Sequence, residues 1–310
     1  MLVIVNSSAA GGTALSKWNN IKAIVFPKDS SCNANIINGD LSFARQLIIE
    51  SIRKGEKEFV AAGGDGTINF LLNSLFRSQQ FCNLKKIKIG AIGIGSSNDF
   101  HKPFSNNEKH FIPVKINFSE AKLRDVGVIT YCINDKTITK YFLINASIGL
   151  TAEANKFFNS PDRILKLLKK RHTLSAIYYT ALKTILLHHN IKVNINSNAH
   201  GKIESQLTNI GIIKNPFFSG DLSYDSPIEY NNGYFHVHCC NNFSKLDSLY
   251  LLWALANKKF HAVKKARSWV MNETNISGEK FFTVEFDGET IETNSVKFRI
   301  LHEQIKVCTS

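Results

Sequence analysis

Two glycine-rich loops, Gly63-Gly64-Asp65-Gly66-Thr67 and Gly93-Ile94-Gly95-Ser96-Ser97-Asn98-Asp99, each close a short apolar run. Phe59–Ala62 before the first loop reads as a buried strand, and Ile68–Phe76 after it as a helix. Lys88–Ile92 is the strand that enters the second loop. Upstream, Met1–Asn6 is an apolar run ending in the polar loop Ser7–Thr13, and Lys22–Pro27 reads as a second short strand. Leu41, Ala44, Leu47, Ile48 and Ile52 recur at helical spacing, with Gly55 as a stop. Strands alternating with helices through short loops predict a doubly wound, parallel α/β sheet. Such sheets bind ligands at the carboxyl ends of their strands, where both glycine loops fall.

After about residue 120 the pattern changes. Val126–Ile133, Lys140–Ala146, Lys192–Asn196, Leu207–Ile213, Tyr234–Cys239, Phe281–Phe286 and Val296–Leu301 read as strands, and Asn232-Gly233 and Asp287-Gly288 as hairpin turns. Leu174, Ile177, Tyr178, Ala181, Leu182, Ile185 and Leu186 make one apolar helical stripe. An α/β domain over residues 1–120 and a β-rich, mostly antiparallel domain over 121–295 are expected, with the strand near 296–310 free to return to the first. A chain of 310 residues suits two domains, and with no Pro/Ser-rich linker between them a shared cleft is expected.

Charge narrows the partners. Lys and Arg number 38 against 25 Asp and Glu, a net +13 that draws the chain to anionic surfaces. Two basic segments stand out, Arg163–Arg171 and Lys258–Arg267. Each is either a solvated face or a docking site for an anionic bilayer, at about 1 kcal/mol per basic residue near the surface. Nucleic acid is not expected, because charge comes here without a stacking-aromatic or helix-turn-helix pattern. No apolar run approaches the roughly 18–20 residues that span a bilayer, and MLVIV lacks the basic flank of a signal peptide. Six cysteines without a C-x-x-C pair suggest reduced thiols in the cytoplasm rather than zinc or a disulfide scaffold.

The first glycine loop has the chemistry of a phosphate site. Glycines without Cβ let the backbone approach a ligand, and amides at a helix start attract anions. Asp65 offers an oxygen to a phosphate-bound Mg²⁺, and Thr67 can cap a helix beginning at Ile68. A plain strand-to-helix turn uses the same residues, but three glycines around one aspartate favour the site. The second loop is no dinucleotide fingerprint, since Asn98 takes the third glycine position, and the chain has no G-x-x-x-x-G-K-[ST] loop. Asp287-Gly288-Glu289 is a hairpin turn whose carboxylates matter only if they face a ligand.

The stretches Val5–Gly11, Ala61–Asn69 (AAGGDGTIN), Gly95–Phe100 (GSSNDF), Arg124–Gly127, Phe142–Gly149, Ser226–Gly233 and Asp287–Glu289 together resemble, in order and spacing, the diacylglycerol kinase catalytic-domain family. That family includes sphingosine and ceramide kinases and bacterial soluble lipid kinases. The resemblance implies a Rossmann-like N-terminal domain of the NAD kinase and diacylglycerol kinase type, and a C-terminal β-rich antiparallel sandwich. It implies ATP and Mg²⁺ as cofactors, a lipid hydroxyl of the diacylglycerol, sphingoid or ceramide type as acceptor, and a cytoplasmic, peripherally membrane-associated enzyme of phospholipid metabolism. Asn6, Ser7, Gly11, Gly63, Gly64, Asp65, Gly66, Thr67, Asn69, Gly95, Ser96, Asn98 and Asp99 would bind the nucleotide. Asp65 would organise Mg²⁺ through water, and Asp287 or Glu289 would be the base. A structural metal site of bacterial relatives maps to Glu229, Asn232 and Tyr234.

This sequence departs from the family at several points. Ser7 stands for a proline, Phe70 for a glutamate after Asn69, Ser96 for a threonine, and the uncharged Asn232 for an aspartate. Two alternatives stay open: a NAD kinase-like enzyme, whose relatives share a GGDG loop, and a non-catalytic lipid- or nucleotide-binding relative. A homodimer is also open.

Overall fold

The computed structural model describes residues 1–27, 33–104, 112–198, 201–220, 222–227 and 229–309. The chain divides into two compact units, Met1–Val126 with His302–Ser310, and Gly127–Leu301. Cys32 lies outside the described residues.

The first unit is built on β1 (Leu2–Asn6), α1 (Ala14–Val25), β2 (Asn33–Ile37), α2 (Leu41–Arg53), β3 (Glu58–Gly63), α3 (Asp65–Arg77), β4 (Lys88–Gly93) and β5 (Val114–Lys115). The parallel order is β2-β1-β3-β4. The last strand of the chain joins β4 in parallel, Lys306 opposite Lys88 and Val307 opposite Ile89. Val3, Val5, Val60, Ala62 and Ile92 pack under Trp18 and Ile21 of α1. The chain leaves β1 for β2 on one side and returns to β3 on the other. This makes a switch point between β1 and β3, where open α/β sheets bind ligands. Asn6, Gly63 and Gly93 end their strands there, with Gly63 opposite Gly93 in register.

Three local expectations are corrected. Lys22–Pro27 is not a strand, because Lys22–Val25 completes α1. Ala14, Trp18, Ile21 and Val25 are buried at helical spacing, a period that outweighs a short apolar run. Thr67 does not cap its helix, which already begins at Asp65 with Gly64 as N-cap. Lys140–Ala146 is two strands, separated by a turn at Leu143-Ile144.

β6 (Asn117–Ile133) carries the chain into the second unit, followed by β7 (Lys136–Phe142), β8 (Asn145–Gly149), α4 (Leu150–Asn159), α5 (Arg163–Arg171) and α6 (Thr173–Leu187). Next come β9 (Ile191–Ser197), β10 (Gly201–Ile213), the ribbon β11 (Phe217–Phe218) and β12 (Leu222–Ser223), β13 (Phe235–Asn241) and α7 (Lys245–Ala256). β14 (Ala266–Met271), β15 (Glu273–Phe286) and β16 (Glu289–Thr309) complete it. The pairings are antiparallel in the order β14-β13-β10-β8-β15-β16, and β8 and β9 each pair with both β10 and β15. Phe142, Phe235 and Phe298 meet in its core, the first two rings stacked at 5.7 Å. A second core, with Leu251, Leu255 and Phe260, lies under α7.

Asp287-Gly288 forms the β15–β16 hairpin turn, with φ of +45° and +88°, whereas Asn232-Gly233 closes the loop that enters β13. β16 runs back into the first unit. There the buried Asp125 accepts from the Glu303 amide at 3.0 Å and contacts His302 Nδ1 at 2.9 Å, which fixes the returning strand. No helix among the described residues is long and apolar enough to cross a membrane.

Candidate active site

The two glycine loops touch. A Cβ on Gly95 would fall 2.3 Å from the Gly64 Cα and 2.9 Å from its nitrogen, so only glycine fits. The Gly95 amide donates to Gly63 O at 3.1 Å and to Asn98 Oδ1 at 3.0 Å. Asn98 sits at φ +55° and returns a bond from Nδ2 to Gly93 O at 2.9 Å. Its side chain therefore shapes the loop from within. Asp99 is likewise turned inward, paired with Lys102 at 2.7 Å in a buried ion pair and accepting from Ser97 Oγ at 2.6 Å.

Asp65 joins the loops electrostatically. Its two carboxylate oxygens accept the amides of Asp99 at 3.0 Å and Phe100 at 2.9 Å. Those amides begin a short 3₁₀ turn over Asp99–His101, so backbone donors hold both oxygens of the carboxylate. Asn6 at the end of β1 donates to Thr67 Oγ1 at 3.1 Å and accepts from the Ser8 amide at 3.1 Å, tying the third loop to the first turn of α3. Ser7 is bonded to Ile37 O through its amide at 3.1 Å and its hydroxyl at 3.0 Å. Gly11 and Gly66 have nothing within 4 Å of the place a Cβ would take, so the loop backbone is open to a ligand there. Ser96 is exposed. Asn69, by contrast, is sealed inside α3, its Oδ1 accepting from Asn73 Nδ2 at 3.0 Å.

Two cations near these loops were not singled out from the sequence. Lys17 of α1 reaches Gly95 O at 3.4 Å. Reading the end of α1 as a strand hid it. Lys115 is buried, donates to Phe100 O at 3.1 Å, and shares the Phe100 ring with Arg124. Burial, aided by Arg124, lowers its ammonium to about 7. Burial and then the Lys115 charge hold the His101 imidazole at about 3, so it is neutral.

Open amides at a helix start, glycines that admit close approach, and one carboxylate at their edge fit the phosphates of a nucleotide and a metal bound to them through water.

In the second unit the hairpin turn holds three carboxylates in different states. Asp287 is buried and accepts three amides, Leu143 at 2.8 Å, Ile144 at 2.9 Å and Asn145 at 3.2 Å. Its lone pairs anchor the β7–β8 turn. Glu285, which sequence reasoning missed, is buried with its oxygens on Ser147 Oγ and the Gly288 amide, both at 2.8 Å. The alternation of Thr283 and Glu285 between Phe282, Val284 and Phe286 was the available signal. Glu289 is 42% exposed with Lys140 at 3.5 Å, and of the two expected bases it is the one with oxygens open to solvent.

Glu229, Asn232 and Tyr234 are also brought together, but around an ammonium. Lys214 Nζ donates to Asn232 Oδ1 at 2.9 Å and to Tyr234 O at 3.0 Å, and Asn232 Nδ2 donates to Glu229 Oε2 at 2.7 Å. A divalent ion needs these oxygens free and more than one carboxylate charge to offset its own. The residues do not fit one, because a buried cation already holds two of the three ligands.

The sequence comparisons agree with the motifs. Residues 1–129 match the model of the diacylglycerol kinase catalytic domain. The fold is shared with solved structures. A candidate diacylglycerol kinase from Bacillus anthracis str. Sterne has a TM-score of 0.69 at 18% identity, covering 100% of this chain and 94% of that one. A diacylglycerol kinase from the same organism gives 0.61 at 17%, covering 100% and 96%. Yeast NADH kinase complexed with NADH gives 0.53 at 12%, covering 100% and 83%. No curated protein matches the chain.

Proposed function

We propose that the chain is an ATP- and Mg²⁺-dependent kinase that transfers the γ-phosphoryl group to a hydroxyl of a membrane lipid of the diacylglycerol, sphingoid or ceramide type. The observation that carries this is the Gly64–Gly95 contact, with Asp65 capping the second loop beside open backbone at Gly66. Phosphoryl transfer asks for positioning and charge neutralisation more than covalent help. The amides at the start of α3 would hold phosphate oxygens, Lys17 would add positive charge at the Gly95 edge, and Asp65 would orient the water shell of the metal. When bound, Mg²⁺ supplies charge neutralisation at the phosphates.

The lipid oxygen forms a bond to the γ-phosphorus as the bond to the bridging oxygen of ADP breaks, and the hydroxyl proton passes to a carboxylate. Glu289 is the proposed acceptor, because Asp287 and Glu285 spend their oxygens on structural donors. Lys140, 3.5 Å from Glu289, would hold that carboxylate in place.

A NAD kinase-like activity is the second proposal, favoured by the shared fold of yeast NADH kinase. Offering labelled ATP with Mg²⁺ and, in parallel, a mixed lipid extract or NAD decides between them. Label in a lipid phosphate supports the first, label in NADP the second, and label in neither overturns both.

A further inference from the structure

α7 is apolar on two sides. Ser248, Leu251, Ala254 and Leu255 are buried in the core beneath it. On the outside, Leu246, Leu249, Tyr250 and Trp253 repeat at positions i, i+3, i+4 and i+7, and all four are exposed, Leu246 at 78%. A surface helix ordinarily presents polar side chains there. Lys245 Nζ donates to Ile185 O at 2.8 Å and to His188 O, so the end of α6 adjoins the start of α7. That corner adds Leu186 and Leu187, 72% and 66% exposed.

The stripe has the chemistry of a membrane interface. The Tyr250 and Trp253 rings stack at 5.4 Å, and Lys259 Nζ lies 5.7 Å from the Trp253 ring. Phenol and indole rings favour the layer between water and hydrocarbon, and lysines lay their stems along apolar surface while the ammonium stays wet. Between Asn242 and Asn272 the chain has six Lys and Arg against one acid, Asp247, which Lys265 neutralises at 2.8 Å. Lys258, Lys259, Lys264 and Arg267 are all exposed. A second copy is a poor occupant, since two chains of +13 repel and a shared α7 face would bring like charges together. Anionic lipid meets both requirements, acyl chains for the leucines and phosphates for the cations.

We propose that the outer face of α7, with the α6–α7 corner, docks on an anionic bilayer. The inference rests on the lipid-kinase proposal for its purpose, access to a membrane-embedded acceptor, but the adhesion itself requires no turnover.

Co-sedimentation of the full chain with vesicles of phosphatidylcholine, with and without phosphatidylglycerol, tests it. The wild type should bind the anionic vesicles at low salt and lose them as salt rises. Leu246→Gln with Trp253→Gln should weaken binding at least about tenfold at an unchanged melting temperature. Lys258→Gln with Lys259→Gln should flatten the salt dependence. Phosphorylation of lipid presented in detergent micelles should be unaffected by either pair. Vesicle binding that needs these residues in a chain that phosphorylates no lipid would keep the docking face and remove the kinase proposal. Unchanged binding in the Leu246/Trp253 variant, or no binding by the wild type, would overturn the docking face. So would a solution dimer that the same variant dissolves, which would give the face to a second copy.

Discussion

The ammonium of Lys214 lies 2.9 Å from the side-chain oxygen of Asn232, where the family resemblance would place a divalent ion. An internal cation thus closes the loop that enters β13. Without nucleotide, the melting temperature should be the same in EDTA and in millimolar Mg²⁺. Lys214→Met, which takes a donor from Asn232 Oδ1 and from Tyr234 O, should lose about 1–3 kcal/mol in urea denaturation. Lys214→Ala with Asn232→Asp should regain stability when Mg²⁺ is added. A wild-type melting temperature that climbs with Mg²⁺ would contradict this account of the loop.

Gly95→Ala and Gly66→Ala should separate stability from binding. The Gly95 Cβ would meet Gly64 backbone, which has no flexible end to move, and overpacking of that kind costs about 1–3 kcal/mol. The Gly66 Cβ would enter open space, so Gly66→Ala should melt like the wild type yet bind ATP more weakly by calorimetry. Equal ATP affinity in Gly66→Ala and wild type would place the phosphates elsewhere.

The two turn carboxylates should fail differently. Asp287→Asn keeps the shape but replaces one of the oxygens that three amides share, so denaturation should show a loss of about 1–3 kcal/mol. Glu289→Gln, at an exposed position, should leave stability unchanged and lower kcat about 10²–10⁴-fold, the usual worth of a general base. A Glu289→Gln enzyme of normal rate would move the base to another group.

Lys115 gives a pH signature. Its folded pKa is lowered to about 7 from 10.5, first by burial and then by Arg124. Between those values the unfolded chain holds a proton that the folded chain has released, so folding stability rises with pH. Measured against Lys115→Met, the wild type should therefore gain stability from pH 7 towards pH 10 and show no such trend below pH 6. Urea titrations of both proteins across this range read the difference directly, and a flat difference would mean Lys115 is solvated.

Much of the first unit was legible because its signals are local. The Leu41–Arg53 stripe and the runs ending at Gly63 and Gly93 each fix an element within a dozen residues. α1 was not, since its end is a short apolar run and only the longer spacing Ala14, Trp18, Ile21, Val25 shows a helix. Partners made by the backbone leave no residue to read. The amides on Asp65 and Asp287 carry no sequence mark, so Asp287 looked as available as Glu289. Lys214 lies 18 residues from Asn232 and becomes a neighbour only when β10 and β13 pair. The outer stripe of α7 was not singled out, because composition does not tell which side of an apolar helix is covered.

The central claim is that ATP held by the two glycine loops phosphorylates a lipid. Incubating the wild type and Asp65→Ala side by side with γ-labelled ATP, Mg²⁺ and a mixed lipid extract, then separating the organic phase by thin-layer chromatography, tests it most directly. A labelled phospholipid from the wild type, reduced at least about 10²-fold by the substitution, is the predicted result. Label confined to the aqueous phase with the wild type, or lipid labelling that Asp65→Ala leaves intact, would contradict it.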